Sequence, residues 1–155
     1  MKIRNLNSSD SKYLEELIYH AIFIPSGEEK PDRTIIFNPD VYVYIEYFGQ
    51  ESDTGVVAEV DGELVGGAWT RIINGYGSID DKTPELAISI IPEFRGQGVG
   101  TELINALFER LIKKGYKKTS LAVQKENPAV RFYLRLGYKI VRTNDEEYIM
   151  VKDLI

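Results

Sequence analysis

The sequence predicts an α/β fold, in which a mixed, mostly antiparallel sheet of about seven strands has helices on both faces. Strand-like and helix-like segments alternate along the 155 residues. A tight-turn motif joins two of the strands and makes them antiparallel, whereas an amphipathic helix joins two others and makes them parallel. The length fits one domain, residues 1–155, and the 43% of hydrophobic residues can fill its core.

The N-terminal segment predicts one strand followed by one helix. Residues 2–6 read as the strand, and the polar residues 7–10 can cap a helix that starts directly after them. Apolar residues then recur at helical spacing as far as Ile22. The period therefore favours a helix with one face turned towards the core.

Residues 25–40 are polar and contain Pro25, Gly27, Pro31 and Pro39, which indicates a long loop. Loops longer than the usual connection are often functional, and this one is a candidate wall of a cleft. Asn38-Pro39 can start a second helix that runs to Gly49. The residues at 41, 43 and 45 also alternate as in a strand, so both interpretations stay open.

A hairpin and the remaining elements follow. Residues 55–60 and 64–73 flank Asp61-Gly62-Glu63, a strong signal for two antiparallel strands. The remaining elements are predicted as a strand at 85–91, a helix at 99–114, and strands at 118–123, 138–142 and 148–152.

A glycine-rich segment, Arg95-Gly96-Gln97-Gly98-Val99-Gly100, separates the predicted strand at 85–91 from the helix. Glycines let a ligand approach the backbone, so that successive N–H groups at the positive end of a helix can bind phosphate oxygens. Thr101 stands where a dinucleotide fingerprint needs its third glycine, and no P-loop motif occurs. The segment predicts a phosphorylated, anionic ligand; alternatively, it serves only the geometry of a turn.

A second motif lies in residues 124–138. Asn127 is suited to the N-cap of a short helix with Pro128 at its first position. Gly137 is suited to the left-handed residue that ends the helix. Tyr133 lies on this helix, and its alternative role is that of a core residue.

Together the two motifs resemble the signatures of the GCN5-related N-acetyltransferase (GNAT) family. Arg95, Gly98 and Gly100 match the fixed positions of the coenzyme A loop of that family, Gln/Arg-x-x-Gly-x-Gly/Ala. The helix that opens at Asn127 resembles the second signature, although many members have one more residue before the tyrosine that corresponds to Tyr133. The resemblance covers roughly residues 55 to 152.

The resemblance implies acetyl-CoA as co-substrate and a site between two parallel strands that splay apart. In the family, the pantetheine arm pairs with the first strand, and the Ile90 N–H would stabilise the negative charge that develops on the thioester oxygen. Tyr133 would supply a proton to the departing thiolate. The residues that the resemblance assigns to coenzyme A are Ile88, Ser89, Ile90, Arg95, Gly96, Gln97, Gly98, Val99, Gly100, Thr101, Asn127 and Tyr133.

A base is also expected, because an amine with a pKa of about 10.4 is only ~10⁻³ unprotonated at pH 7. Glu85, at the start of the splayed strand, is the best-placed carboxylate; alternatively, it is a solvated charge at the end of a strand. Asp80 and Asp81, on the preceding turn, could attract a cationic acceptor, but capping of the turn is the simpler role for both.

The motifs therefore predict a single-domain N-acetyltransferase that transfers an acetyl group to a primary amine by direct attack in a ternary complex. The expected acceptor is an amine-bearing small molecule or peptide. One alternative is a non-catalytic acyl-CoA-binding sensor module, which would not need Tyr133 as an acid. Another is the transfer of a different acyl group.

Composition argues against several other classes of protein. A net charge of −5 and a pI near 5.0 lack the basic character of a nucleic-acid-binding protein. The chain has no cysteine and one histidine, so neither disulfides nor a multi-histidine zinc site is expected, nor any metal. No apolar run reaches the ~18 residues of a membrane span and no signal peptide is recognisable, which favours a cytoplasmic location without membrane contact. A homodimer is compatible with the sequence.

Overall fold

The strands of the protein form one sheet in a computed structural model that describes residues 1–155. The elements in chain order are β1 (Lys2–Asn5), α1 (Ser11–Ala21), α2 (Pro39–Tyr42), β2 (Thr54–Val60), β3 (Glu63–Arg71), β4 (Glu85–Ile90), α3 (Val99–Lys113), β5 (Lys118–Gln124), α4 (Ala129–Arg135), β6 (Lys139–Thr143) and β7 (Glu147–Asp153). The seven strands lie in the spatial order β1-β2-β3-β4-β5-β7-β6.

The sheet is antiparallel throughout except for β4 and β5, which are parallel neighbours. In the turn between β2 and β3, φ is positive at both Asp61 (52°) and Gly62 (81°), as a two-residue hairpin turn requires. Helix α3 makes the crossover from β4 to β5. The predicted mixed sheet of about seven strands, with one parallel pair, is confirmed.

Helices α3 and α1 cover opposite faces of the sheet. Neighbouring side chains of a strand point to opposite faces, so Ala68 of β3 packs with Leu103 and Leu107 of α3, whereas Trp69 packs with Leu17 of α1. All five side chains are almost fully buried. None of the helices combines the length and the apolar character that a membrane crossing requires.

The segment at residues 38–49 is neither the long helix nor the strand that its sequence suggests. Helix α2 covers only four residues, after which the chain continues in turns. The carbonyl oxygens of Val43 and Tyr44 accept hydrogen bonds of 2.9 Å from Arg71 Nη1 and Trp69 Nε1 of β3. These carbonyls bond side chains of the sheet, so they do not continue a helical ladder, and the segment is tied to β3.

We expect Leu107→Ala to lower the free energy of unfolding by about 2–5 kcal/mol, because Leu107 is fully buried between α3 and the sheet. Urea denaturation followed by circular dichroism measures this value. Ile112→Ala, on the same helix but 43% exposed, is the control and should cost less than about 1 kcal/mol. Equal losses for the two variants would contradict this packing.

Candidate functional site

A cavity of about 350 Å³ lies where β4 and β5 diverge. The two strands are in register at only one residue pair, Glu85 and Ser120. Beyond that pair the backbones separate, and the cavity lies between them. The residues around it come from α1, α2, β4, β5, α4, the start of β7 and the loops beside these elements. They are Ile18, Ala21, Ile22, Phe23, Asp40, Val41, Tyr44, Tyr76, Glu85, Leu86, Ala87, Ile88, Leu121, Ala122, Val123, Gln124, Asn127, Tyr133, Glu146 and Glu147.

The backbone of β4 presents hydrogen-bonding groups to this opening. The N–H of Ile91 donates to Val65 O of β3 at 2.9 Å. Since bonding directions alternate along a strand, the N–H groups of Ile88 and Ile90 point away from β3 and towards β5. Ile88 lines the cavity, whereas Ser89 is buried beside Ala87 on the face that α1 covers.

Glu85 lies at the start of β4 and is almost completely buried, with 2% of its surface exposed. Its Oε2 accepts hydrogen bonds from the Tyr44 hydroxyl and from the N–H of Gly77, the latter at 2.9 Å. Its Oε1 is buried without a hydrogen-bond partner. Burial raises the pKa of Glu85, and the two hydrogen bonds oppose that effect. Glu85 is therefore not the solvated strand-end charge that was the alternative interpretation.

The segment Gly75-Tyr76-Gly77 holds Glu85 and Tyr44 in place. The N–H of Tyr76 donates to the Tyr44 hydroxyl at 3.1 Å. A Cβ on Gly75 would lie 2.6 Å from Glu85 Oε1, and one on Gly77 would lie 2.5 Å from Ala122 N of β5. Neither position has room for a side chain, so the segment reaches the carboxylate only as glycine-flanked backbone.

Tyr133 approaches the cavity from α4, on the side of the sheet that α3 covers. Its ring packs against Phe132 and Tyr138, with centroid distances of 5.6 and 5.8 Å. Its hydroxyl forms none of the hydrogen bonds within the protein, and burial raises the pKa of Tyr133 to about 12. The hydroxyl is therefore protonated at neutral pH and can donate a hydrogen bond or a proton to a group in the cavity.

The glycine-rich segment forms the start of α3. Gly96 and Gly98 have φ values of 74° and 82°, a region that favours glycine. The first backbone bond of the helix runs from Glu102 N to Gly98 O at 3.2 Å. The N–H groups of Val99, Gly100 and Thr101 consequently have no protein acceptor and form the positive end of the helix. A Cβ on Gly98 would have no atom within 4 Å, so the approach to these donors is clear.

The side chains of Arg95 and Gln97 fold back onto the protein. Arg95 donates to Ile90 O through Nε and to His20 O through Nη2, both at 3.0 Å. Gln97 Nε2 donates to Glu93 O at 3.1 Å. In this segment, the groups directed outwards are therefore backbone N–H groups rather than the side chains of Arg95 and Gln97.

Asn127 begins the helix that carries Tyr133. Its Oδ1 accepts a hydrogen bond from Ala129 N at 2.9 Å, and Gly137 after the helix has a φ of 99°. Asn127 thus caps the helix and Gly137 is the left-handed residue after it, as the sequence predicts. Helix α4 itself has seven residues. Asn127 also lines the cavity.

Of the three acidic residues that the sequence suggested, only Glu85 lines the cavity. Asp80 caps its own turn, accepting from Lys82 N at 2.9 Å, and neither Asp80 nor Asp81 lines the cavity. The lining carboxylates are those of Asp40, Glu85, Glu146 and Glu147. Sequence analysis did not identify Glu146 and Glu147, because β7 lies between β5 and β6 in the sheet and local sequence patterns do not predict that strand order. The sequence gives only a weak indication of Tyr44 and Tyr76 as site residues. Tyr44 lies in a run with tyrosines at 42 and 47, and Tyr76 lies between two glycines.

Comparison with known proteins agrees with this geometry. Residues 17–138 match the model of the acetyltransferase (GNAT) family. The chain therefore belongs to the GNAT family of acetyltransferases, which confirms the family predicted from the two sequence motifs.

One curated relative and two solved structures illustrate what the chain is similar to in sequence and in fold. A protein of Pectobacterium atrosepticum named as an acetyltransferase is 35% identical over 92 residues, 59% of this chain and 61% of the relative. The match thus spans less than two thirds of that relative. Among solved structures, the PaiA N-acetyltransferase of Thermoplasma acidophilum, in complex with coenzyme A, has a TM-score of 0.73 at 21% identity and covers 98% of both chains. YncA, a putative acetyltransferase of Salmonella typhimurium with acetyl-CoA, has a TM-score of 0.74 at 19% identity, covering 100% of this chain and 94% of its own.

We expect Tyr44→Phe to raise the pKa of Glu85 further, because the hydroxyl of Tyr44 stabilises the ionised carboxylate. A pH titration of the Glu85 carboxyl carbon by NMR measures this pKa. Tyr47→Phe is the matched control, since Tyr47 is 80% exposed and does not line the cavity. An unchanged Glu85 titration in Tyr44→Phe would show that the hydrogen bond does not stabilise the carboxylate.

The raised pKa of Glu85 also predicts a pH dependence of stability. The raised pKa means that the folded state binds the proton of Glu85 more tightly than the unfolded state does. The contribution of Glu85 to the free energy of unfolding is therefore largest below its unfolded pKa, where the carboxyl is protonated in both states. The free energy of unfolding should then fall as the pH rises through the folded pKa. Glu85→Gln should lack this component of the fall, as measured by urea denaturation across the range above pH 4.5. A wild-type curve that rises over that range and matches the variant would contradict the argument.

Proposed function

We propose that this protein transfers the acetyl group of acetyl-CoA to a primary amine, which attacks the thioester directly in a ternary complex. One observation carries the proposal: a buried carboxylate with a free oxygen and a protonated tyrosine line the same cavity between β4 and β5. Acyl transfer from a thioester to an amine needs a base for the amine and an acid for the thiolate.

The residues present fit coenzyme A. The N–H groups at the start of α3, together with the clear space above Gly98, suit the pyrophosphate. The N–H groups of Ile88 and Ile90 would pair with the pantetheine arm along the diverging edge of β4. The fold is shared with structures that contain coenzyme A or acetyl-CoA, which supports the same use of the site here.

Three groups of this chain would serve the transfer. Glu85 accepts a proton from the ammonium form of the acceptor, whose lone pair then forms the new C–N bond. The Ile90 N–H donates to the thioester oxygen as negative charge develops on it. As the C–S bond breaks, Tyr133 gives its proton to the sulfur, and the proton lost from the attacking nitrogen restores the tyrosine through solvent.

Base catalysis has a clear purpose here. At pH 7 only a fraction of ~10⁻³ of a lysine-like amine is unprotonated, which raises the free energy barrier to attack by roughly 4 kcal/mol. A carboxylate with a raised pKa is a stronger base than an exposed one, and no donor of the protein competes for the lone pairs of Glu85 Oε1.

Acetyl-CoA should raise the melting temperature of the protein, because it binds the folded state selectively. Gly98→Ala should greatly reduce that rise, because the new methyl group would occupy the space proposed for the pyrophosphate. Differential scanning fluorimetry at increasing acetyl-CoA measures both. Gly115→Ala is the matched control, since Gly115 also has a positive φ (91°) and an added Cβ there would have no atom within 4 Å. Gly115 follows the C-terminal end of α3, far from the proposed pyrophosphate site. It should lower the melting temperature of the free protein similarly while keeping the rise.

Tyr133→Phe should lower kcat by ~10²-fold, the lower end of the range for general acid catalysis, and leave the acetyl-CoA-induced thermal shift nearly intact. The Tyr133 hydroxyl makes no hydrogen bond within the protein, so its removal leaves no protein group without a partner. The fold should therefore tolerate Tyr133→Phe. Release of coenzyme A in the presence of a panel of amines measures kcat. A loss of the thermal shift in parallel with kcat would mark Tyr133 as a binding residue, and binding without turnover of any amine in the wild type would favour the acyl-CoA-binding module.

A further inference from the structure

We propose that Asp53 is a positioning residue of the acetyl transfer, because it holds the guanidinium group of Arg71 away from Glu85. The carboxylate proposed as the base then has no cation of the protein bonded to it. The inference rests on the proposed function for the role of Glu85 in the reaction. The arrangement of the three charges can be measured without turnover.

Arg71 lies between two buried carboxylates at one level of the sheet. At the end of β3 it is the direct antiparallel partner of Glu85, the first residue of β4. On its other side, β2 begins at Thr54, the partner of Thr70, so Asp53 precedes β2 at the level of Arg71. Directly paired residues of an antiparallel sheet place their side chains on the same face, where opposite charges can attract each other. An arginine in this position could therefore pair with either acid.

The guanidinium group bonds Asp53 and not Glu85. Arg71 Nε donates to Asp53 Oδ1 at 3.1 Å, and both side chains are almost fully buried. Glu85 is buried as well, but it takes part in none of the salt bridges within the protein. Burial and, to a smaller extent, the charge of Glu147 raise the pKa of Glu85. Glu85 thus behaves as a carboxylate without a cationic partner.

The segment before β2 determines this choice of partner. Asp53 Oδ2 accepts hydrogen bonds from the N–H groups of Gly49 and Gln50, both at 3.0 Å, which fix the orientation of the carboxylate. Arg71 Nη1 donates to Val43 O of the same segment at 2.9 Å. The guanidinium group is therefore held at two of its nitrogens and cannot turn to β4 without losing both bonds.

An ion pair between Arg71 and Glu85 would change two properties that the proposed base needs. A neighbouring cation favours the ionised form of a carboxylate, so the pKa of Glu85 would fall and its carboxylate would be a weaker base. The same cation would repel the protonated form of the acceptor amine. Asp53 prevents both effects because it neutralises Arg71 on the other side.

The cavity supplies no cation in place of Arg71. It is lined by no lysine, arginine or histidine, and α1 contributes only apolar groups to it. On β5 the cation is Lys118, which is exposed. The ionisable groups that share the cavity with Glu85 are phenols and carboxylates: Asp40, Tyr44, Tyr76, Tyr133, Glu146 and Glu147.

The test is an NMR titration of the Glu85 carboxyl carbon in Asp53→Asn. The new amide keeps an oxygen for the hydrogen bond from Arg71 but leaves the guanidinium charge unneutralised, so the pKa of Glu85 should fall by about one pH unit or more. Asp53→Asn combined with Arg71→Met removes both charges and should return the pKa of Glu85 close to its wild-type value. A pKa of Glu85 that does not fall in Asp53→Asn, or that stays lowered in the double variant, would overturn the inference.

Asp10→Asn is the matched control. Asp10 is also buried, pairs with Arg4 at 2.9 Å and accepts a hydrogen bond from Asn7 N at 2.8 Å, so this change breaks a comparable ion pair. It should lower the free energy of unfolding, as Asp53→Asn does, but leave the titration of Glu85 unchanged. Equal changes of the Glu85 pKa in the two variants would indicate a general loosening of the fold and would overturn the role of Asp53.

A measurement on the wild type covers the case in which Asp53→Asn does not fold. The ¹⁵N chemical shift of Arg71 Nε is followed while Glu85 titrates. Because this nitrogen is bonded to Asp53, its signal should stay constant through the titration of Glu85. A signal that moves with the Glu85 carboxyl carbon would show that the guanidinium group contacts Glu85, contrary to the inference.

Turnover separates this inference from the proposed function. With Glu85 as the base, the acidic limb of kcat/KM against pH, measured by release of coenzyme A, should move in Asp53→Asn by the same amount as the NMR titration. A changed titration without a matching change of the profile would overturn the positioning role of Asp53 while the transferase stands. The expected titrations in a protein that acetylates no amine would support the charge arrangement and overturn the proposed transfer.

Discussion

The site depends on the divergence of two neighbouring strands. β4 and β5 are in register only at Glu85 and Ser120, and the rest of β4 faces the cavity with unpaired backbone. The sheet tolerates this gap because β4 keeps its antiparallel ladder with β3 over its whole length, and β5 keeps one with β7. Each side of the cavity is thus a strand that is held rigidly by its other neighbour. The Ile90 carbonyl, which has no strand partner, is bonded by Arg95 instead.

The divergence also lets the two groups with proposed catalytic roles share one cavity without contacting each other. Glu85 belongs to the face that α1 and Tyr44 cover, whereas Tyr133 comes from α4 on the other face. A glutamate and a tyrosine that lay side by side would hydrogen-bond, and neither would then be free for an acceptor or a thiolate. Here Tyr44 bonds one oxygen of Glu85 and leaves the other free. The carboxylate proposed as the base is thus oriented by a tyrosine different from the one proposed as the acid.

The sequence predicted the parts of this structure that local chemistry determines. The hairpin at Asp61 and Gly62, the left-handed Gly137 after α4 and the Asn127 cap each depend on a few adjacent residues, and each was found where predicted. The Glu85 carboxylate could be named as a candidate, but its two interpretations differed only in burial, which depends on Tyr44 and Gly77 from distant segments. Glu146 and Glu147 were missed for the same reason. For residues 38–49 the sequence left a long helix and a strand open, and neither forms, because Trp69 and Arg71 of β3 bond the carbonyls that follow α2.

The start of α3 presents main-chain donors, because the Arg95 and Gln97 side chains fold back onto the protein. Every amino acid except proline has a backbone N–H, so the capacity to bond an anion there depends on the shape of the loop rather than on the identity of most of its side chains. During evolution, substitutions that keep the glycine conformations preserve such a surface, whereas those that remove them do not. Sequences can thus diverge widely while such a loop keeps its shape. The two solved structures share the fold of this chain at 19–21% identity.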